Sequence, residues 1–161
     1  MLKSENNIKT IVTNGDQTDT IFDGLSKGLT FEQTLRSREY EPDEPNFTPR
    51  ISGVITQKDK NASFEFSILK HGEIACERHT YTYDGLCKGS GCFIHTYLDD
   101  GNPLPSFCGE PVSVELKGDI NELSEQIWKN LDSDNKVSLF VRFIPLDEGK
   151  SETRIINKNV R

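Results

Sequence analysis

The sequence predicts an α+β fold in which a few helices stand apart from an antiparallel sheet. Short segments rich in β-branched and aromatic residues recur at hairpin-length intervals, and the clearest helical pattern, Asp119 to Leu131, lies outside that run. Apolar residues make up only 34% of the chain and charged ones 28%, so the core must come from a few well-defined elements. At 161 residues the chain reads as a single domain, 1–161, of a size that buries roughly 70% of its extended surface.

Ile8 to Thr13 reads as a strand, broken by Asn14-Gly15. A helix follows, capped by Asp16 or Thr18, with Ile21, Phe22 and Leu25 as its apolar stripe and Gly28 as its stop. Thr30-Phe31-Glu32-Gln33 matches a capping box for a second, short helix carrying Phe31, Thr34 and Leu35, which must end before Pro42. Arg50 to Ile55 forms the next strand. Ser63 to Leu69 alternates, with Phe64, Phe66 and Ile68 on one face and Ser63, Glu65 and Ser67 on the other. His71-Gly72-Glu73 makes a hairpin turn into Ile74 to Tyr83, and Gly91 to Tyr97 adds a further strand to an antiparallel meander. Asp119 caps the clearest helix, with Glu122 completing the box and Ile120, Leu123, Ile127 and Leu131 on one face, packed on a sheet. Val137 to Ile144 is nearly continuous in apolar and β-branched residues and predicts a central strand covered on both sides. Arg154 to Val160 predicts an edge strand.

Composition excludes several classes of function. The net charge of −7 argues against nucleic acid, whose binding needs many cations on phosphates. No apolar stretch approaches the ~20 residues of a membrane span. The segment Met1-Leu2-Lys3-Ser4-Glu5 lacks the apolar region of a secretory signal, which predicts a cytoplasmic protein. In that compartment Cys76, Cys87, Cys92 and Cys108, with no Cys-x-x-Cys spacing, are expected as reduced thiols. His71, His79 and His95 lie at no ligand spacing to one another or to a cysteine, so no metal is expected. Lys88-Gly89-Ser90-Gly91 lacks the spacing and the following helix of a phosphate loop and reads as a hairpin turn.

The polar residues concentrate in three stretches at strand ends: Val12 to Ile21, Arg38 to Arg50, and Phe93 to Phe107. The second is the most informative, since Glu39, Glu41, Asp43 and Glu44 lead through Pro42, Pro45 and Pro49 to Arg50. Crowded carboxylates repel, and in a buried loop one of them would gain the raised pKa of a general base. Arg50 is suited to hold an anion, and Asn14-Gly15, at a strand-to-helix junction, offers backbone N-H groups to another. A histidine satisfied within its sheet is the simpler reading of His95.

Thr13-Asn14-Gly15-Asp16-Gln17-Thr18-Asp19-Thr20-Ile21, Tyr40-Glu41-Pro42-Asp43-Glu44-Pro45-Asn46-Phe47-Thr48-Pro49-Arg50-Ile51 and His95-Thr96-Tyr97 together resemble the archaeal-type IMP cyclohydrolase family. Gly101 to Phe107, Gly109-Glu110-Pro111 and the strand from Lys136 to Ile144 resemble its bacterial branch, and the likeness runs from about Ile11 to the C-terminus. The resemblance implies an αββα sandwich like that of the N-terminal-nucleophile hydrolases, here without a terminal nucleophile. It implies closure of the formamido-imidazole-carboxamide ribonucleotide ring to IMP with loss of water, with no cofactor and no metal. By motif match Glu41 is the base, with Glu44 its rival. Tyr40, Thr48 and Arg50 position the substrate, and Asn14, Gly15, Thr18, Asp19, Thr96 and Tyr97 line the purine ribonucleotide pocket.

Family members carry an N-terminal portion before the Asn-Gly block, with strands of the double sheet and an arginine-bearing loop, and this sequence begins where that portion ends. The sandwich is therefore expected to be incomplete, with an exposed sheet edge or apolar face that invites self-association or a partner chain. Two other readings stand beside the enzyme: a catalytically inactive purine-nucleotide-binding or relic module, and a different amide-cleaving enzyme on the same scaffold.

Overall fold

A computed structural model describes residues 2–4, 7–85, 87–147 and 149–159 of the chain. It is mixed α and β with antiparallel sheets. The chain divides into two compact units, Met1–Leu86 with Cys92–Ser113, and Cys87–Gly91 with Val114–Arg161.

In the first unit β1 (Leu2–Ser4), β2 (Asn7–Thr13), β3 (Arg50–Lys58), β4 (Asn61–His71) and β5 (Cys76–Tyr83) form one sheet in chain order. The helices α1 (Gln17–Ser26) and α2 (Phe31–Thr34) lie between β2 and β3 in sequence. The period of two along β3 buries Arg50, Ser52 and Val54, and register places Leu69 opposite Arg50, Ser67 opposite Ser52, and Ile11 opposite Val54. That row faces the helices. Val54 and Leu69 form the core with Ile21, Phe31 and Leu35, flanked by Ile11, Leu25 and Cys76.

The expected capping box of α2 is present, with Gln33 N donating to Thr30 Oγ1 and Thr30 N to Gln33 Oε1. Helix α1 stops as Gly28 predicts. At φ 81° Gly28 takes the left-handed conformation while its N-H bonds Leu25 O and the N-H of Leu29 bonds Gly24 O, satisfying the last carbonyls of the helix. Of the predicted stripe, Ile21 is fully buried but Phe22 is exposed.

The opposite face of the sheet carries Val12, 62% exposed, with Ile8 and Ile55, each 36% exposed. Phe64 lies opposite Ile55 and stacks on Tyr83 at 4.5 Å. The alternation of faces expected over Ser63 to Leu69 is that of β4, whose register is regular throughout, but burial does not alternate at its end. Ser67, Ile68 and Leu69 are all buried, because both faces of the sheet are covered there.

The strand expected over Gly91 to Tyr97 is also corrected. Strand β6 (Ser90–Phe93) stops short and pairs with β7 (Val112–Glu115), which the sequence reading missed, instead of extending the meander. Beyond Phe93 the backbone turns around His95. Its ring is stacked on Phe93 at 5.2 Å and edge-on to Phe107 at 4.2 Å, and its Nδ1 lies 2.5 Å from Tyr97 O. A contact two residues along the same chain is incompatible with an extended strand.

In the second unit α3 (Ile120–Asn130) carries the predicted box, Asp119 accepting from the N-H groups of Asn121 and Glu122. The helix packs on a hairpin of β8 (Ser138–Phe143) and β9 (Glu152–Asn157). Lys136 Nζ sits 4.7 Å from the Trp128 ring centre and donates to Trp128 O at 2.9 Å. The expectation of a central, doubly covered strand at Val137 to Ile144 is overturned. Among the described residues β8 pairs with β9 alone, and Phe140, opposite Ile155, is 61% exposed. A near-continuous apolar run does not distinguish a buried strand from a ribbon with one open face. The edge strand expected from Arg154 begins two residues earlier, and Val160, its predicted end, lies outside the described residues.

All four cysteines are free thiols. Among the described residues no helix is long and apolar enough to cross a membrane.

Candidate active site

The three polar stretches converge within the first unit. Asn14 follows β2 and stitches that strand end to the start of β3. Its Nδ2 donates to Pro49 O at 2.9 Å, its Oδ1 accepts from Ile51 N at 2.9 Å, and its own N-H reaches Ile51 O at 3.2 Å. An asparagine presents both a donor and an acceptor in one plane, which allows it to extend the ladder by a side chain.

Arg50, the first residue of β3, is the centre of the network. Its side chain is only 9% exposed, and a buried guanidinium requires partners for its charge. Glu41 supplies two contacts, Oε2 at 2.9 Å from Nη2 and Oε1 at 2.7 Å from Nη1. Gln17 Oε1 accepts at 3.1 Å, and Asp16 Oδ1 accepts from Arg50 and is ion-paired with Arg38. Arg38 first, and Arg50 with it, hold the Asp16 carboxyl below its ordinary pKa. Asp16 does stand at the N-cap of α1, but its side chain makes no capping bond. It is turned to the arginines instead, and Thr18 is not the cap.

Gly15 is where this network needs an absent side chain. A Cβ there would lie 2.8 Å from Arg50 Nη1, 2.8 Å from Gln17 Oε1 and 2.9 Å from Glu41 Oε1. Ordinary contacts do not come so close, so only glycine lets the three polar heads meet over the backbone.

The loop between α2 and β3 is folded on its own groups. Glu41 N donates to Thr48 O, and Asn46 N to Asp43 O. Asp43 accepts from Thr48 N at 2.7 Å and from the Thr48 hydroxyl, and these bonds lower its pKa. The expected mutual repulsion of carboxylates is thus not what the loop contains. Glu39 is within 3.8 Å of Arg78, Glu41 is on Arg50, and Asp43 is on Thr48; each has its own partner, and the loop is largely exposed.

The third stretch meets this loop twice. Tyr97 OH is 2.6 Å from Thr48 Oγ1, and Leu104 N donates to Asn46 Oδ1 at 3.1 Å. The segment around Tyr97 is braced by its bridge to Ser106 and by Phe107 N on Thr96 O at 3.0 Å.

The structure therefore brings together Asn14, Gly15, Glu41, Arg50, Thr48 and Tyr97. Thr18 lies at the rim, 2.5 Å from the Thr13 hydroxyl. Tyr40 faces elsewhere, its ring edge-on to Phe47 and His71, though it shares with Arg50 an open cleft of about 330 Å³ that Arg36, Arg38, Glu39 and Arg78 also line. Glu44 and Asp19 are exposed and take no part in the network, and Thr96 joins only through its backbone.

Sequence reasoning missed Gln17, which is fully buried and donates from Nε2 to Ile51 O at 3.1 Å and Ser52 Oγ at 3.2 Å. Helical spacing could have found it, because Gln17, Ile21 and Gly24 form the buried stripe of α1. The cation partner Arg38 had no such signal.

An α+β chain whose polar loops gather around a buried arginine at the strand ends has the form of a site for a small polar molecule. The family model described as IMP cyclohydrolase-like protein matches residues 2–149. The chain belongs to that IMP cyclohydrolase-like family. No curated protein and no solved structure matches it.

Proposed function

We propose that the chain is an IMP cyclohydrolase, acting on the formamido-imidazole-carboxamide ribonucleotide by acid-base and electrostatic catalysis. The observation that carries the reading is the paired Glu41–Arg50 head over Gly15, inside a chain whose family match spans nearly its whole length. Glu41 takes a proton from the carboxamide nitrogen as that nitrogen attacks the formyl carbon. Guanidinium donors offset the charge that builds on the formyl oxygen. That oxygen takes up the proton from Glu41 and leaves as water together with the proton of the formamido nitrogen, which forms the C=N bond that completes the ring.

Glu41 is favoured over Glu44 because Arg50 fixes its orientation, while Glu44 is exposed and outside the network. The arginine-lined cleft beside Arg50 suits the ribose phosphate, and Asn14, Thr18, Thr48, Thr96 and Tyr97 are read as pocket residues, with Asp19 and Tyr40 at its margin. The exposed Ile8, Val12 and Ile55 support the αββα reading, in which a second sheet lies over that face.

One observation favours a second reading. Both Glu41 oxygens are engaged by Arg50, which suits a nucleotide-binding module that has lost catalysis and keeps the pair for its fold. Ring closure followed by ultraviolet absorbance separates the two. The enzyme reading expects IMP formation by the wild-type chain and its loss in Glu41→Gln with folding intact. Tight nucleotide binding with no turnover would establish the second.

A further inference from the structure

Beyond the arginine network, Asp43, Thr48 and Tyr97 form a chain of hydrogen bonds whose direction is fixed by chemistry. Asp43 receives both the N-H and the hydroxyl of Thr48. An ionised carboxylate only accepts, and a threonine hydroxyl has one proton. That proton is committed to Asp43, so the Thr48 oxygen can serve Tyr97, at 2.6 Å, only as an acceptor. The Tyr97 proton is committed in turn. Its phenolic oxygen retains accepting capacity and no proton to give.

We propose that Asp43 sets the polarity of this relay, so that the site presents Tyr97 as an acceptor and selects a ligand carrying an N-H donor, such as an amide or a ring lactam. Asp43 is a positioning residue that acts through Thr48. The inference rests on the nucleotide reading above for its ligand, and on the relay geometry alone for its direction. It fits both ends of the proposed reaction, because the carboxamide of the substrate and the lactam of the product each offer an N-H. An adenine ring, with an unprotonated acceptor at the corresponding nitrogen, would meet the Tyr97 oxygen lone pair to lone pair. Asp43→Asn allows the opposite polarity, since its amide can donate to Thr48, leaving the Thr48 proton for Tyr97 and freeing the Tyr97 proton to point outward.

Two measurements on the full chain test this. The first uses ¹³Cζ-labelled tyrosine in the ligand-free protein, with the Tyr97 resonance assigned by its loss in Tyr97→Phe. That resonance is expected to move in Asp43→Asn and in Thr48→Val and to return towards wild type in Asp43→Glu. A resonance indifferent to Asp43→Asn overturns the relay. The second compares IMP with AMP binding by calorimetry. Wild type is expected to favour IMP, and Asp43→Asn and Tyr97→Phe to reduce that preference by roughly threefold to tenfold, the range a single neutral hydrogen bond provides. Their effects are expected to be non-additive in the double variant. An unchanged preference in Asp43→Asn overturns the selectivity. Failure of the nucleotide reading has a separate signature. Neither nucleotide binds while the Tyr97 resonance still follows Asp43, a result that upholds the relay and overturns its assigned ligand.

Discussion

Gly15 and Arg50 approach so closely that a methyl group on Gly15 would sit 2.8 Å from the Arg50 Nη1. The same methyl would press on Gln17 and Glu41, so the Asn-Gly sequence at the end of β2 is a packing requirement of the site. Gly15→Ala is expected to push the guanidinium off Glu41 and cost roughly 1–3 kcal/mol, as overpacking does. Urea unfolding would check the stability. A Gly15→Ala protein as stable as wild type would show that the pair has room to move.

Gln17 is the second test of that network. Its amide bridges α1 to Ile51 and Ser52 while accepting from Arg50. Gln17→Leu keeps the bulk and strands those buried groups, so a loss of roughly 1–3 kcal/mol in urea is expected. A change within about 0.5 kcal/mol, the range of an ordinary surface substitution, would mean that water replaces the amide.

Acid should weaken the fold through specific carboxylates. Asp16, Asp43 and Glu77 are shifted downward, by Arg38, by Thr48 and by His79 with Lys70 respectively. A carboxyl depressed on folding contributes stability that is complete above its unfolded value, near 4, and is lost as pH falls through the lower folded value. Glu65 is shifted upward by burial, so its contribution has the opposite sign and is lost as pH rises through the raised value. Urea midpoints are expected to fall with pH below about 4, and Asp43→Asn to flatten that slope. A slope unchanged by Asp43→Asn would place the acid sensitivity elsewhere.

The open face of the β8–β9 hairpin, in the other compact unit of the chain, gives a control. Phe140 is 61% exposed opposite Ile155, and Phe140→Ser is expected to change stability by less than about 0.5 kcal/mol. A loss of 2 kcal/mol or more, the range of large-to-small core changes, would show that this ring is covered in solution.

What was legible in the sequence follows from how local each determinant is. The boxes at Thr30–Gln33 and Asp119–Glu122, and the stop at Gly28, depend on residues three or four apart and were found where the pattern put them. The convergence of the Asn14 and Arg50 blocks was also readable, because each sits at a strand end and the two strands are neighbours. Partner choice was not. Nothing in the spacing of Glu39, Glu41 and Asp43 says that each finds its own cation or hydroxyl instead of repelling its neighbours. Nor does the apolar run at Val137 to Ile144 say how many strands lie beside it. The early end of β6 at Phe93 goes with His95 lodging between Phe93 and Phe107, a long-range contact that no local pattern announces.

Ring closure by Glu41, held by Arg50, is the step on which the proposed function rests. It is tested most directly by following IMP formation in ultraviolet absorbance with wild type, Glu41→Gln and Glu44→Gln side by side, each shown to be folded by circular dichroism. Turnover is expected from wild type and from Glu44→Gln, with a loss of at least about a hundredfold in Glu41→Gln, the scale of a missing general base. Full activity of Glu41→Gln, or its loss in Glu44→Gln alone, would contradict it.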